Sequence, residues 1–134
     1  MLNQTKKPNR ILLIDDSEID LRINSKILSI HFSGSQVVTC LSAEEGLQYL
    51  KKSNQQQDQL PDLILLDIQM PEMDGFGFLE HYRSLPKSIT EYCTIVFLSS
   101  TLDFGDIKRA EANLFVSRML KKPLNPAELK EILS

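Results

Sequence analysis

The chain has 134 residues, of which 42% are hydrophobic and 25% charged, as expected for one globular domain. Its net charge of −3 argues against nucleic-acid phosphates as its main partner, and no apolar run is long enough to span a membrane. The N-terminus lacks the apolar segment and cleavage site of a secretory signal. We therefore expect a cytoplasmic domain at 10–134 preceded by a short mobile tail at 1–9.

Apolar runs of strand length alternate with helix-length segments along the chain. The predicted strands cover residues 10–15, 36–40, 62–67, 93–100 and 115–122. The predicted helices cover residues 17–32, a segment that opens at 42–45, residues 75–85, residues 103–114 and a segment that opens at 125–126. Five strand–helix units predict an α/β domain whose parallel sheet is covered by helices on both faces.

Local signals support several of these helices. Ser42 and Glu45 have the spacing of a capping box, in which each side chain satisfies a free backbone amide at the helix start. Asn125 and Pro126 combine a cap residue with proline at the first helical position. The isoleucines of the first helix recur at helical spacing, at positions Ile19, Ile23, Ile27 and Ile30.

The cysteines and histidines do not form a recognisable catalytic or metal-binding pattern. Cys40 and Cys93 both lie in or beside apolar runs, which favours small buried hydrophobic side chains over a disulfide or a metal pair. His31 and His81 lie in helical segments without a Ser or Cys nucleophile pattern nearby. We interpret them as ordinary surface or packing residues.

Polar side chains follow four of the predicted strands at their carboxyl ends. Asp15 and Asp16 end the first strand, Asp67 the third, Ser99 the fourth, and Lys122 follows the fifth. In an open parallel sheet the ligand site lies outside these ends, so the side chains should meet at one edge. Clustered carboxylates repel one another, and a divalent cation such as Mg²⁺ removes that cost. The alternative for the acidic pair alone is a cap on the first helix.

The stretches ILLIDDSE, LILLDIQMPEMDG, IVFLSS and LKKPL, in this order and spacing, resemble the receiver domain of two-component response regulators. The resemblance runs from about residue 10 to residue 134. It implies a flavodoxin-like (βα)5 three-layer sandwich with a five-stranded parallel sheet of order 2-1-3-4-5. It also implies a phosphoacceptor switch rather than an enzyme that turns over a substrate.

The resemblance assigns a role to each residue at the strand ends. Asp67 matches the aspartate that accepts a phosphoryl group from a sensor histidine kinase or a histidine phosphotransfer protein. Ser99 and Lys122 match the hydroxyl and the ammonium that contact the phosphoryl oxygens. The implied ligands of Mg²⁺ (or Mn²⁺) are Asp15, Asp16, Asp67 and the backbone carbonyl of Gln69.

The resemblance also implies how the switch signals. The family's output face consists of the fourth helix, the fifth strand and the fifth helix, so a downstream protein is expected there, with no direct contact to nucleic acid or membrane. An aromatic residue on the fifth strand takes part in this switch in the family, but Met119 occupies its position here.

Gln69 and Thr101 match positions that flank the phosphoryl group, and the peptide bond before Pro123 is often cis in the family. If the chain is the whole protein, it is a single-domain regulator.

Three other functions fit parts of the same pattern. A phosphohydrolase of the haloacid dehalogenase type also forms an aspartyl phosphate, but it needs an acid two residues after the nucleophile, where this chain has Gln69. A flavin-binding module needs a hydroxyl- and glycine-rich loop after the first strand, where Asp15 and Asp16 would repel a phosphate. A scaffold that acts without phosphorylation is disfavoured because every position of the site carries a competent residue.

Overall fold

A computed structural model describes residues 7–56 and 59–134 of the chain. Its strands are β1 (Arg10–Ile14), β2 (Gln36–Cys40), β3 (Leu63–Asp67), β4 (Thr94–Ser99) and β5 (Val116–Lys121). Its helices are α1 (Glu18–His31), α2 (Ala43–Ser53), α3 (Gly75–Tyr82), α4 (Lys87–Thr90), α5 (Phe104–Glu111) and α6 (Pro126–Ile132). The four-residue α4 follows Pro86 and was not predicted, so the predicted fourth and fifth helices correspond to α5 and α6.

The strands form one parallel sheet of order β2-β1-β3-β4-β5, which confirms the predicted flavodoxin-like topology. Strand β3 lies at the centre, hydrogen-bonded to β1 and β4, and all five of its residues are buried. Alternate side chains of the strands enter two separate apolar cores, one on each face. Helices α1 and α6 cover one face, and α2, α3, α4 and α5 cover the other. Burial on both faces explains why the central strands are apolar at successive positions.

Helix α1 forms where the sequence predicts it, but the isoleucine stripe is not its buried face. Ile19, Ile23 and Ile30 are 70%, 45% and 61% exposed, and Ile27 is half-buried. The residues that α1 buries against the sheet are Leu21, Asn24 and Leu28. Both stripes recur at helical spacing, and only the packing on the sheet distinguishes them.

The two residues that directly precede β1 contact other parts of the domain. Residues 1–6 of the expected mobile tail lie outside the described residues. Pro8 is buried, and the backbone N–H of Asn9 donates to Asp62 Oδ2 at 2.9 Å. The carbonyl of Asn9 accepts from the backbone N–H of Gln36 at 2.9 Å. Residues 8 and 9 are therefore held by the start of β2 and by the residue that precedes β3.

The predicted helix caps form with one difference. Ser42 Oγ accepts from the backbone N–H of Glu45 at 3.1 Å, as a capping box requires. Glu45 Oε1 accepts from Leu41 N–H at 3.1 Å, one residue before the cap residue itself. Asn125 Oδ1 caps the first turn of α6, where Pro126 occupies its first position. In the two described stretches of the chain, we find no helix that is long and apolar enough to cross a membrane.

The stretch from the start of α5 to the start of β5 carries large apolar side chains that differ in burial. Leu114 is 99% exposed and Phe104 is 70% exposed, so neither belongs to the core. Phe115 is half-buried, and its ring packs edge-on against that of Tyr82 with the ring centroids 5.2 Å apart. Strand β5 pairs with β4 through an irregular register near Ile95. Exposed apolar side chains therefore lie beside the predicted output face.

Candidate functional site

Three carboxylates meet at the carboxyl edge of the sheet, as the sequence predicts. Asp15 and Asp16 follow β1, and Asp67 is the last residue of the neighbouring β3. One oxygen from each of the three lies within 4.8 Å of the others. Asp15 and Asp67 are buried, whereas Asp16 is exposed. The sheet thus places two acids inside the protein and one at its surface.

The turn after Asp67 is held by backbone contacts to the neighbouring strand and helix. Ile68 N–H donates to the carbonyl of Leu98 at 3.0 Å, which continues the pairing of β3 with β4 beyond the last strand residue. Gly75 N–H, at the start of α3, donates back to the carbonyl of Ile68 at 2.8 Å. A Cβ atom at Gly75 would lie 3.0 Å from Ile68 Cα and 3.1 Å from the carbonyl oxygen of Asp67. Glycine at position 75 therefore lets the helix approach the strand end that presents Asp67.

We expect Gly75→Ala to destabilise the protein by about 1–3 kcal/mol, because backbone atoms on the strand side cannot yield to the added methyl group. Gly77→Ala is the matched control in the same helix, since its nearest neighbour is the flexible Met73 side chain, 3.0 Å away. That variant should be neutral or stabilising by up to about 1 kcal/mol through its higher helix propensity. Urea denaturation measures both, and equal effects would show that the contact with the strand end is unimportant.

The Lys122 side chain contacts three carboxylates at once. Its Nζ lies 2.9 Å from Asp15 Oδ2, 2.8 Å from Asp20 Oδ2 and 3.5 Å from Asp67 Oδ1. The lysine side chain is only 9% exposed, so water screens these interactions weakly. Asp15 Oδ1 also accepts from Ser17 N–H at 2.9 Å, which fixes the orientation of that carboxylate. The lysine is therefore a shared counter-ion for the buried acids.

The charge balance of the cluster is unfavourable for Asp67. Burial raises the pKa of its carboxyl group, the Asp15 carboxylate adds to this effect and Lys122 opposes both, and the net result is a pKa of about 7. The pKa of Lys122 is itself raised above its ordinary range, because hydrogen bonds to Asp20 and Asp15 outweigh the cost of its burial. The single ammonium of Lys122 therefore does not balance the negative charge of the carboxylates around Asp67 near neutral pH.

Ser99 ends β4 next to the strand that ends in Asp67, and its described hydroxyl hydrogen bonds go to Thr101 rather than to the carboxylates. Ser99 Oγ donates to the carbonyl of Thr101 at 2.5 Å and accepts from Thr101 N–H at 3.3 Å. The carbonyl of Ser99 accepts from Lys122 N–H at 2.8 Å, which joins the ends of β4 and β5. The Ser99 hydroxyl would therefore have to give up its donation to Thr101 before it could donate to a group on Asp67.

The remaining predicted positions lie around this cluster. Gln69 is exposed in the turn after β3, two residues beyond Asp67. The peptide bond between Lys122 and Pro123 is cis. Met119 is half-buried on β5 opposite Phe97, where it lines a small cavity of about 140 Å³ between α5 and β5. Every predicted residue thus lies at or near the carboxyl edge, or on the strand that leads to it.

The site has the donor set of a hard cation. Asp15, Asp16 and Asp67 offer carboxylate oxygens close enough together to share one ion, and Lys122 offsets only part of their charge. A divalent cation at this position would remove the repulsion that raises the pKa of Asp67. The residues present therefore fit a small oxygen-liganded metal ion.

Asp20 is the participant that the sequence did not reveal. It lies in the first turn of α1, four residues after Asp16, and acidic residues at that position are common because they complement the helix dipole. Its contact with Lys122 depends on how the chain after β5 passes over α1. No spacing rule within the sequence specifies that approach.

The model of the response regulator receiver domain family matches residues 11–134. The chain belongs to this family. It is 33% identical over 96% of its length to the hybrid signal transduction histidine kinase L of Dictyostelium discoideum, and it spans 7% of that protein. Among solved structures, a response regulator receiver protein from Dyadobacter fermentans is 37% identical with a TM-score of 0.82, covering 92% of this chain and 94% of that one. A two-component response regulator from Cytophaga hutchinsonii is 25% identical with a TM-score of 0.87, covering 95% of each chain.

As a receiver domain, the chain shares its fold with both regulators and hybrid kinases. Because the chain spans only a small part of the Dictyostelium kinase, the activity of that whole protein does not transfer to it.

Proposed function

We propose that this receiver domain is a phosphoacceptor switch in which Asp67 accepts a phosphoryl group from phosphohistidine on a sensor histidine kinase or a histidine phosphotransfer protein. The observation that carries the proposal is the convergence on Asp67: a buried carboxylate at the end of the central strand, with Lys122 Nζ 3.5 Å away and two further acids within 4.8 Å. Membership of the receiver family supports it, since relatives include a hybrid histidine kinase.

In the proposed step a carboxylate oxygen of Asp67 attacks the phosphorus of the phosphohistidine. An O–P bond forms and the P–N bond breaks, and the electron pair of that bond returns to the imidazole nitrogen, which takes up a proton. Phosphoryl transfer depends mainly on positioning and on neutralising charge, so the nucleophile needs no covalent help. The buried strand end provides the positioning, and the Lys122 ammonium stabilises the charge that develops on the equatorial oxygens.

The metal in this proposal is Mg²⁺, which prefers a few carboxylate ligands and retains several waters. Asp15, Asp16 and Asp67 would hold it, together with the backbone carbonyl of Gln69. When bound, it would supply charge neutralisation to the phosphoryl oxygens in addition to that of Lys122. The Ser99 hydroxyl, which donates to the carbonyl of Thr101 in this structure, would then donate to the same phosphoryl oxygens instead.

We propose that the signal leaves through protein contacts on the face formed by α5, β5 and α6. Exposed apolar side chains at Leu102 and Phe104 border this face, and Met119 lies in the cavity beneath α5. Methionine is flexible and can repack without the ring of an aromatic residue. The net charge of −3 is consistent with a protein partner rather than a nucleic acid.

Labelling of the purified wild-type protein by acetyl phosphate tests the proposed function. We expect a mass increase of one phosphoryl group that requires Mg²⁺, is removed by hydroxylamine as an acyl phosphate, and maps to Asp67. A reaction without Mg²⁺ and with excess chelator is the control. Absence of label both from acetyl phosphate and from phosphorylated histidine phosphotransfer proteins would contradict the proposal.

A further inference from the structure

Asp20 holds the active-site lysine more closely than Asp67 does. The Lys122 Nζ lies 2.8 Å from Asp20 Oδ2, a charge-assisted hydrogen bond, but 3.5 Å from Asp67 Oδ1. The ammonium has three protons, and the hydrogen bonds to Asp20 and Asp15 use two of them. Asp20 is thus a fourth acid of the site, contributed by a helix rather than by a strand end.

The packing of α1 fixes this contact. Asn24, one helical turn after Asp20, is buried, and its Oδ1 accepts from Leu124 N–H at 2.9 Å. Residues four apart lie on the same face of a helix, so Asp20 and Asn24 both face the chain that follows β5. Asn24 therefore anchors the backbone two residues beyond Lys122, and Asp20 binds the side chain of Lys122 itself. The hydrogen bond between Asn24 and Leu124 therefore holds α1 and the chain after β5 at the separation that the contact between Asp20 and Lys122 needs.

Asp20 is not a predicted ligand of the metal, unlike Asp15. Its side chain is 36% exposed and contacts Lys122, but it is not one of the three clustered carboxylates, which include Asp15 and Asp67. A cation held by the cluster would share Asp15 with the lysine, whereas Asp20 pairs with Lys122 alone among the described ion pairs. The Asp20 carboxylate is then the main competitor for the ammonium.

We propose that Asp20 is a positioning residue that competes with a phosphoryl group on Asp67 for the Lys122 ammonium. This inference rests on the phosphoacceptor function proposed above. Asp20 holds the ammonium at 2.8 Å and offsets its positive charge, so the acid lowers the affinity of the site for a phosphoryl group. Removing the charge of Asp20 frees the ammonium and removes one unit of negative charge near an anionic ligand. Lys122 itself is unchanged in that variant, and its backbone N–H still donates to the carbonyl of Ser99 at 2.8 Å, so the residue keeps its place at the end of β5.

Beryllofluoride, a phosphoryl mimic, tests this competition at equilibrium. Its binding in the presence of Mg²⁺ is measured by the ¹⁹F resonance of the bound species in wild type and in Asp20→Asn, Asp20→Glu and Glu18→Gln. We expect Asp20→Asn to bind about three- to tenfold more tightly than wild type, because a competing charge-assisted contact is lost. Asp20→Glu keeps a carboxylate at this position, so its affinity for beryllofluoride should stay within about twofold of wild type.

Glu18→Gln is the matched control. It removes the same charge from the same exposed first turn of α1, and Glu18 makes no contact with Lys122 among the described ion pairs. It should leave the affinity within about twofold of wild type, which separates the contact from the helix dipole and the net charge. As a second measurement, the ¹⁵N resonance of the Lys122 ammonium should shift in Asp20→Asn before any beryllofluoride is added, and should not shift in Glu18→Gln.

The possible outcomes distinguish the competition by Asp20 from the phosphoacceptor function on which it rests. Tighter binding in Asp20→Asn alone, with the shifted ammonium resonance, supports the competition. Unchanged or weaker binding in Asp20→Asn, while wild type binds normally, overturns the competition and leaves the phosphoacceptor function standing. Failure of wild type to bind beryllofluoride at any concentration overturns the phosphoacceptor function, and the role of Asp20 with it.

Discussion

Asp67→Asn is expected to lose all phosphoryl labelling and, in metal-free buffer at pH 8, to be more stable than wild type by about 1–3 kcal/mol. The label is lost because an amide cannot form the acyl phosphate. The stability rises because the variant no longer buries a carboxylate beside Asp15. The two effects have opposite signs, so a variant that simply misfolds cannot imitate the result.

The pH dependence follows from the raised pKa of Asp67. In the folded protein this group holds its proton up to about pH 7, whereas in the unfolded chain it loses the proton near its ordinary value of 3.8. Between these values the folded state binds more protons, so the stability of wild type falls as pH rises through this window. The advantage of Asp67→Asn should therefore be near zero at pH 4, grow through the window, and level off above pH 7.

Thermal and urea denaturation at pH 4, 6 and 8 measure this difference. Glu131→Gln is the control, because it removes an equal charge from an exposed position on α6. Adding Mg²⁺ at pH 8 should stabilise wild type and have little effect on Asp67→Asn, since the cation relieves a repulsion that the variant lacks. Undiminished labelling of Asp67→Asn would show that another residue accepts the phosphoryl group.

Lys122→Met is expected to destabilise the protein by about 2–4 kcal/mol at pH 8, because it leaves the buried Asp15 and Asp67 carboxylates without their shared counter-ion. Methionine retains a similar length and an apolar stem, so the loss comes mainly from charge. The pKa of Lys122 is raised, so its ammonium stays protonated throughout the range from pH 5 to 8. The pH dependence of the loss must therefore come from Asp67, whose pKa is about 7, and the loss should shrink toward pH 5 as that carboxylate takes up its proton.

Lys121→Met is the matched control for this prediction. Lys121 is the neighbouring residue at the end of β5, it is exposed, and its substitution removes the same charge. Urea denaturation at pH 5 and 8 compares the two variants, and Lys121→Met should change the stability by less than about 0.5 kcal/mol. In the same samples Lys122→Met should bind beryllofluoride far more weakly than wild type. An equal loss of stability at both pH values would argue against an unpaired carboxylate as the cause.

Features that act along one strand or one turn were predictable from the sequence. The alternation of apolar runs and helical segments predicted the parallel sheet, since a strand buried on both faces has no polar face. Asp15, Asp67 and Lys122 were predictable as neighbours because parallel strands bring their carboxyl ends to one edge. The resemblance to receiver domains supplied the strand order and the individual roles.

Features that depend on how separate elements pack were not predictable in the same way. Periodicity allowed the isoleucine stripe of α1 to face the sheet, yet the helix buries Leu21, Asn24 and Leu28 instead. The buried face includes a polar residue because Asn24 satisfies the backbone of Leu124, a partner that only the fold brings near. A hydrophobicity pattern ranks each side chain by its own polarity and takes no account of a hydrogen-bond partner that the fold brings near.

By itself, the sequence determined that a carboxylate would end the buried central strand beside other acids and a lysine, because those residues follow directly from strand ends. The tertiary structure alone decided how the charges pair. It turned α1 so that Asp20 reaches Lys122, and it left Ser99 hydrogen-bonded to Thr101 rather than to the acids. The physical reason is that hydrogen bonds and ion pairs act over about 3 Å and depend on orientation, whereas sequence patterns specify only which residues share an element or an edge.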